Sequence, residues 1–283
     1  MSATLGPPAD DWVPGLVALD IDGTLLKWVE GTGQHYEQVS AEVYDAVAAV
    51  LAAGSHVVLA SGRSPHGMTL IADLLDLPRE GSDRAWVVAS NGAVLFRYPP
   101  LDIVHEETFD ASDAVAAVLR EHPEALVAVE ERGVGYKVNR PFPEGELSGE
   151  MIEAPIDDIV GEPVSRVIIR DPSASVEDFV ALGARLGLHG TDYVVGWTAW
   201  LDLCPVGVSK ASGLDHVCRH LGLTADDVLA IGDGRNDLEM LRWARRGVAM
   251  GQAVDEVHEA ADATTASVYD EGAAVEIRRW FPA

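Results

Sequence analysis

Short apolar runs recur along the chain and alternate with segments whose apolar residues follow a helical period. Four-residue runs such as 16–19 are typical of strands buried on both faces of a parallel sheet. Residues 40–54 show helical spacing, with Ser40 able to cap the start and Gly54 able to end the helix. The alternation predicts an α/β fold with a Rossmann-like parallel-sheet core flanked by helices. Further strands are expected at 57–60, 86–89, 228–231 and 248–250, and further helices after Ser64 and Ser209 and over 236–246.

The pattern changes between residues 92 and 203, where strand-like pieces mix apolar with polar residues. Half-polar strands suit an antiparallel sheet that has one face in water and helices on the other. We therefore expect residues 1–91 and 204–283 to form the core, and residues 92–203 to form an inserted α+β domain. Its expected strands are 125–129, 135–138, 164–169 and 193–195, and its expected helices are 111–121 and 175–186.

The composition limits the class of protein. Of the 283 residues, 48% are hydrophobic, enough for a sizeable core, but no stretch approaches the roughly 18 apolar residues of a membrane helix. Residues 1–15 lack the basic start and apolar centre of a secretory signal, and Cys204 and Cys218 alone make no disulfide framework. We expect a soluble cytoplasmic protein.

The net charge of −26 argues against nucleic acid or an anionic membrane as a partner, because little positive charge is available to meet phosphates. The chain has only three lysines, Lys27, Lys137 and Lys210. If the substrate is an anion, a bound cation or a lysine in the pocket must overcome the negative field. A lysine near any candidate site is therefore informative.

The most informative motif follows the first apolar run directly: Asp20 and Asp22 stand two residues apart, and Gly23 allows a sharp turn. On an extended chain the two carboxylates are about 7 Å apart and point roughly the same way. Like charges held together need a cation or a shared proton. Alone, the motif is more typical of a solvated turn, so its interpretation depends on the rest of the chain.

Three further polar segments follow core strands or begin the next helix: Ser61-Gly62, Lys210, and the stretch from Asp233 to Asp237. In a parallel sheet, ligands bind beyond the carboxyl ends of the strands. Carboxylates from separate strands can hold Mg²⁺, a hydroxyl beside backbone N–H groups can hold phosphate oxygens, and a lysine can neutralise the transferring group. Each segment alone is more often structural. Together they predict a site for phosphoryl transfer.

With these motifs the chain resembles the haloacid dehalogenase superfamily, and within it the Cof-type, subfamily IIB hydrolases. The resemblance covers nearly the whole chain and implies that the inserted domain is a C2-type cap. Gln252 departs from the pattern, since relatives often have asparagine there. The matching motifs are Asp20-Ile21-Asp22-Gly23-Thr24, Ser61 with Gly62, Lys210 after Ser209, and Gly232-Asp233-Gly234-Arg235-Asn236-Asp237, with Asn91-Gly92 and Ala249-Met250-Gly251 as smaller matches.

The resemblance also implies roles. Asp20 would be the nucleophile and a Mg²⁺ ligand, and Asp22 would protonate the leaving alcohol, activate the water and bind the metal through its carbonyl oxygen. Asp233 and Asp237 would complete the metal site, and Lys210 would act in catalysis as well as holding phosphate. The residues that would hold the phosphate or substrate are Ser61, Gly62, Lys210, Asn91 and Asn236.

The expected function is therefore a Mg²⁺-dependent phosphatase that hydrolyses a small phosphorylated metabolite, with sugar phosphates favoured, through an aspartyl-phosphate. A phosphomannomutase-like phosphotransferase and, with less support, a receiver-type phospho-acceptor module are the alternatives. Five residues of the inserted domain could contact a sugar or phosphate, or could equally be core or surface residues: Tyr136, Lys137, Arg140, Trp197 and Trp200.

Overall fold

The computed structural model describes residues 11–27, 38–78, 83–131, 134–144, 146–171, 173–175, 178, 191–195 and 200–282. Two β-sheets organise this part of the chain, one of eight strands and one of six. The eight-stranded sheet carries the candidate site, and the six-stranded sheet is built from the middle of the sequence.

The eight-stranded sheet has the order β14-β13-β12-β1-β2-β3-β4-β5. Its neighbours from β14 to β3 pair in parallel, whereas β3, β4 and β5 pair antiparallel. The predicted parallel core is therefore confirmed, with an antiparallel extension. The strands are β1 (Leu16–Leu19), β2 (His56–Ala60), β3 (Ala85–Ala89), β4 (Val94–Tyr98), β5 (Asp102–Glu106), β12 (Val228–Gly232), β13 (Arg246–Ala249) and β14 (Ala263–Thr264).

Helices cover both faces of this sheet. Within β1, Val17 and Leu19 belong to one apolar cluster, while Leu16 and Ala18 belong to another on the opposite face, as the period of a strand requires. The first cluster includes residues of α1 (Ala41–Ala52), α2 (Pro65–Leu74) and α8 (Gly272–Trp280). The second includes residues of α5 (Lys210–Leu221), α6 (Leu238–Trp243) and α7 (Asp255–Ala260).

The predicted caps are present. The hydroxyl groups of Ser40, Ser64 and Ser209 accept hydrogen bonds from backbone N–H groups in the first turns of α1, α2 and α5. Gly222 ends α5 in the left-handed conformation, with φ of 72°. The helix predicted over 236–246 is shorter: a 3₁₀ turn at Arg235–Asp237 precedes α6, and Ala244 is already extended because β13 begins at Arg246.

The six-stranded sheet has the order β10-β11-β9-β6-β7-β8, antiparallel except between β7 and β8. One face packs against α3 (Ser112–Glu121) and α4 (Ile156–Ile159). The helix predicted over 175–186 falls almost wholly outside the described residues. The strands are β6 (Leu126–Glu131), β7 (Gly135–Val138), β8 (Glu150–Glu153), β9 (Val167–Arg170), β10 (Thr191–Val195) and β11 (Trp200–Pro205).

The first sheet continues past the predicted boundary at residue 92. β4 pairs with β3, and β5 pairs with β4, so this hairpin extends the core sheet to Glu106. The apolar pattern did not reveal it. The six-stranded sheet begins only at Leu126. The assignment of residues 92–203 to one cap domain stays a prediction. Among the described helices, none combines the length and apolar character needed to cross a membrane.

Candidate active site

The site lies where three adjacent parallel strands end. β12, β1 and β2 are neighbours, with Leu19 paired to both Ile231 and Leu59. The residues that follow these strands are therefore brought together at one edge of the sheet. They are Asp20 after β1, Ser61 after β2 and Asp233 after β12, and all three are buried.

Asp20, Asp233 and Asp237 form a buried acidic cluster, in which one carboxylate oxygen from each lies within 4.8 Å of the others. Lys210, the first residue of α5, is completely buried beside it. Its Nζ donates hydrogen bonds of 2.6 Å to Oδ1 of Asp20 and of 2.6 Å to Oδ1 of Asp237. Residues from three separate parts of the sequence thus meet in this cluster.

The carboxyl groups of the cluster are buried with only one ammonium group to offset their charge, and this shifts the pKa values of Asp20 and Asp233. Burial, and then the negative charge of Asp237, raise the pKa of Asp20 to about 7 despite Lys210. Burial and the charge of Asp20 likewise raise the pKa of Asp233. Burial alone would lower the pKa of Lys210, but Asp20 and Asp237 outweigh it and the pKa lies above its usual value. Three carboxylates against one ammonium leave an excess of negative charge on oxygen ligands, which fits a hard divalent cation such as Mg²⁺.

The backbone fixes the acidic residues closely. Oδ2 of Asp237 accepts hydrogen bonds from the N–H groups of Asp233, at 3.0 Å, and Gly234, at 2.9 Å. Two glycines make room for the carboxylates: a Cβ on Gly23 would lie 2.1 Å from Oδ2 of Asp233, and one on Gly232 would lie 2.5 Å from Cγ of Asp237. Gly23 also has φ of 85°, which favours glycine.

Asp22 lies beside the cluster and is held by Arg63. Nε of Arg63 donates a hydrogen bond of 2.8 Å to Oδ2 of Asp22, and Nη2 donates one of 2.6 Å to Oδ1. Such a forked pair fixes the plane of a carboxylate as well as its position. The sequence alone gave Arg63 no role, although its place two residues after Ser61 was a usable signal.

The predicted phosphate-binding residues also lie together. The N–H of Arg63 donates to Oγ of Ser61 at 3.2 Å, and a Cβ on Gly62 would lie 3.1 Å from Oδ1 of Asn91. That amide oxygen accepts a hydrogen bond of 3.0 Å from Nδ2 of Asn236. Their role in holding phosphate stays a prediction.

Gln252 contacts the acidic cluster at Asp233. Its Nε2 donates to the carbonyl oxygen of Gly23 at 2.6 Å and to Oδ2 of Asp233 at 3.2 Å, while Oε1 accepts from the N–H of Val268. The longer glutamine side chain therefore makes polar contacts on three sides, and it orients Asp233.

The five candidate specificity residues differ in their surroundings. Tyr136 is buried, Lys137 pairs with Glu131 at 2.9 Å, and Arg140 pairs with Glu124 at 2.5 Å. Trp197 and the side chain of Trp200 lie outside the described part of the structure. Contact of any of them with substrate stays a prediction.

Residues 17–277 match the family of haloacid dehalogenase-like hydrolases. The chain belongs to this family. The match spans the strand-end aspartates, the six-stranded sheet and most of the C-terminal helix. The predicted family and the predicted fold class are therefore confirmed, and the chain is a hydrolase of the haloacid dehalogenase type.

Relatives of this hydrolase align over almost its entire length. It is 27% identical over 296 residues to 5-amino-6-(5-phospho-D-ribitylamino)uracil phosphatase YitU of Bacillus subtilis, covering 95% of this chain and 98% of the relative. A superfamily phosphatase from Bacteroides thetaiotaomicron has a solved structure that is similar with a TM-score of 0.75 and 25% identity, covering 99% of each chain. A solved subclass IIB sugar phosphatase shares the fold with a TM-score of 0.77 and 22% identity, covering 94% of this chain and 98% of its own.

Proposed function

We propose that this hydrolase is a Mg²⁺-dependent phosphatase that removes phosphate from a small metabolite, with a sugar phosphate as the favoured substrate, through an aspartyl-phosphate on Asp20. The observation that carries the proposal is that Lys210 donates hydrogen bonds to both Asp20 and Asp237. Asp233 completes the same acidic cluster. The arrangement combines a nucleophile, a fixed positive charge and oxygen ligands for a cation in one buried site. Positioning and charge neutralisation are the main requirements of phosphoryl transfer.

In the first step, a carboxylate oxygen of Asp20 forms a bond to phosphorus while the bond from phosphorus to the leaving oxygen breaks. Asp22 gives its proton to that oxygen, so the product leaves as a neutral alcohol. Lys210 holds Asp20 in place through its 2.6 Å hydrogen bond. Bound by Asp20, Asp233 and the carbonyl of Asp22, with Asp237 beside them, Mg²⁺ would neutralise the phosphoryl oxygens and keep Asp20 ionised.

In the second step, Asp22 accepts a proton from a water molecule, which attacks phosphorus and breaks the bond to Asp20. Inorganic phosphate is released, and Asp22 is again protonated for the next turnover. The forked pair with Arg63 orients Asp22 as the ionised carboxylate, which is the form that the first step produces and the second step uses. Ser61, Gly62, Asn91 and Asn236 are proposed to hold the phosphate oxygens.

The substrate class is supported by charge and by relatives. The net charge of −26 disfavours large polyanions, so a small anion bound by local cations is the better fit. The relative YitU acts on a phosphorylated ribityl compound, which is a sugar-derived phosphomonoester. We propose the same broad class here, and a cytoplasmic location where such metabolites occur.

The test is phosphate release by the purified chain from a panel of sugar phosphates and other phosphomonoesters, with Mg²⁺ and with EDTA. We expect turnover that needs Mg²⁺ and that Asp20→Asn abolishes. Release of an isomeric sugar phosphate would identify a phosphotransferase instead. An aspartyl-phosphate that persists for minutes would indicate a phospho-acceptor module, and no product from any compound would refute the proposal.

A further inference from the structure

A second buried charge cluster lies between the two sheets, apart from the acidic cluster at the metal site. It consists of Glu130 on β6, Arg166 just before β9 and Asp202 on β11, and we call it the buried triad. Nη2 of Arg166 donates to both oxygens of Asp202, at 2.8 and 3.0 Å, and Nη1 lies 3.6 Å from Glu130. All three side chains are at most 12% exposed.

The triad contacts two consecutive residues of the turn that follows β3. Oγ of Ser90 lies 2.8 and 2.7 Å from the two carboxylate oxygens of Glu130 and donates its one proton to that carboxylate. Nδ2 of Asn91 lies 3.4 Å from Oδ2 of Asp202. Both oxygens of Glu130 are thus directed at one hydroxyl group of the turn after β3.

Ser90 and Asn91 both have positive φ, 52° and 53°, a conformation that costs free energy for residues other than glycine. Such a turn persists where its surroundings hold it. The hydrogen bonds from the two side chains to the triad are contacts of this kind. Neither residue is exposed by more than 4%.

The same turn holds the loop of the proposed phosphate site. The N–H of Ser90 donates to the carbonyl oxygen of Arg63 at 2.9 Å, and the N–H of Asn91 donates to that of Ser61 at 3.0 Å. Arg63 in turn holds Asp22. An unbroken series of hydrogen bonds therefore leads from the six-stranded sheet to the proposed acid–base residue.

We propose that the buried triad positions the catalytic site: Glu130, Arg166 and Asp202 fix Ser90 and Asn91, and these fix Ser61, Arg63 and Asp22. The inference rests on the proposed function for its kinetic consequences, but its structural consequence can be measured without any activity. The three triad residues are positioning residues, because they act through the turn and not on the substrate.

The kinetic test compares Glu130→Ala with Glu130→Gln and with Glu153→Ala. Glutamine keeps an oxygen that can accept from Ser90, and Glu153 is an exposed carboxylate on β8 of the same sheet. Since displacement of a catalytic group by 1 Å can cost about 100-fold, we expect Glu130→Ala to lower kcat at least about tenfold. The factor should be equal for alkyl and sugar phosphates and smaller for aryl phosphates, because an aryl leaving group needs less protonation by Asp22, and the other two variants should stay within about twofold of wild type.

A loss confined to sugar phosphates and absent with simple alkyl phosphates would make Glu130 a substrate contact and would overturn the proposal. So would unchanged kcat in Glu130→Ala, or an equal loss in Glu130→Gln. Ser90→Gly gives an independent check, because glycine tolerates the positive φ and the loss of the hydroxymethyl group removes the hydrogen bond to Glu130. It should lower kcat as Glu130→Ala does, and the double variant should lose no more than either single one. If the losses of kcat instead add up in the double variant, Glu130 and Ser90 act independently, which contradicts the proposal.

The second readout is amide hydrogen exchange at Ser90 and Asn91, which needs no substrate. In Glu130→Ala both amides should exchange at least about tenfold faster than in wild type, as the turn opens more often, while Glu153→Ala leaves them unchanged. Unchanged exchange in Glu130→Ala would refute positioning. If wild type releases no phosphate but the exchange result holds, only the proposed function fails.

Discussion

Arg63 donates a hydrogen bond to each carboxylate oxygen of Asp22, from Nε to Oδ2 at 2.8 Å and from Nη2 to Oδ1 at 2.6 Å. The two side chains are 19% and 23% exposed, so the pair borders the crevice without being sealed from it. A carboxylate held in this way is fixed in both orientation and position. The proposed proton transfers depend on both.

Replacing the guanidinium group of Arg63 by an ammonium group should therefore slow turnover. We expect Arg63→Lys to lower kcat about tenfold, since an ammonium group cannot make two parallel hydrogen bonds to one carboxylate and acid–base catalysis contributes about 10²- to 10⁴-fold. Steady-state kinetics with Mg²⁺ would measure this. Arg219→Lys, in an exposed pair with Asp215, is the matched control and should change kcat less than twofold. An unchanged kcat in Arg63→Lys would contradict the role of the pair.

The nucleophile gives the second prediction. Asp20→Asn should reduce phosphate release by at least about 1,000-fold, because the amide cannot form the aspartyl-phosphate. The fold should survive, since Lys210 keeps its 2.6 Å hydrogen bond to Asp237. Phosphate assays and thermal melting followed by circular dichroism would test both parts. Substantial turnover in the folded variant would assign the nucleophile elsewhere.

The third prediction concerns pH and metal. Folding raises the pKa of Asp20 from 3.8 to about 7, so in the metal-free protein this group stabilises the fold fully below about pH 4. That contribution is lost as the pH rises through about 7. A divalent cation would offset the negative charge of the ionised carboxylates in the cluster, and protons compete with the cation for the same carboxylate oxygens. Mg²⁺ should therefore raise the melting temperature more at pH 8 than at pH 5.

Calorimetry with EDTA or with millimolar Mg²⁺ at the two pH values would provide the comparison. Asp20→Asn removes the titrating group and one ligand, so its melting temperature should depend less on both pH and Mg²⁺. An effect of Mg²⁺ that is as large at pH 5 as at pH 8 would argue against binding at this cluster.

The fourth prediction separates backbone strain at Gly23 from crowding of the acidic cluster. Gly23 and Gly54 have similar φ, 85° and 81°, but an added Cβ meets Asp233 only at Gly23 and open space at Gly54. Both alanine variants should lose about 1 kcal/mol of stability from the positive φ. Only Gly23→Ala should also weaken activation by Mg²⁺, by about tenfold or more. Equal Mg²⁺ dependence in the two variants would show that Gly23 matters for its backbone alone.

The core fold was predictable from local patterns. Runs such as 16–19 and 228–231 are apolar on both faces, which is typical of strands covered by helices, and Ser209 and Gly222 marked the ends of α5. The hairpin of β4 and β5 was missed because Val94–Tyr98 and Asp102–Glu106 mix apolar with polar residues. Such strands are also typical of the inserted sheet.

By itself, the sequence determined the strand ends and which chemical groups stand there, because strand periodicity places Asp20, Ser61 and Asp233 at one edge of a parallel sheet. Only the tertiary structure decided how those groups are held. Three hydrogen bonds show this, and each joins residues 27 to 41 positions apart in the sequence: Arg63 with Asp22, Lys210 with Asp237, and Ser90 with Glu130. Such pairings depend on the placement of whole elements, and no local pattern of polar and apolar residues encodes them.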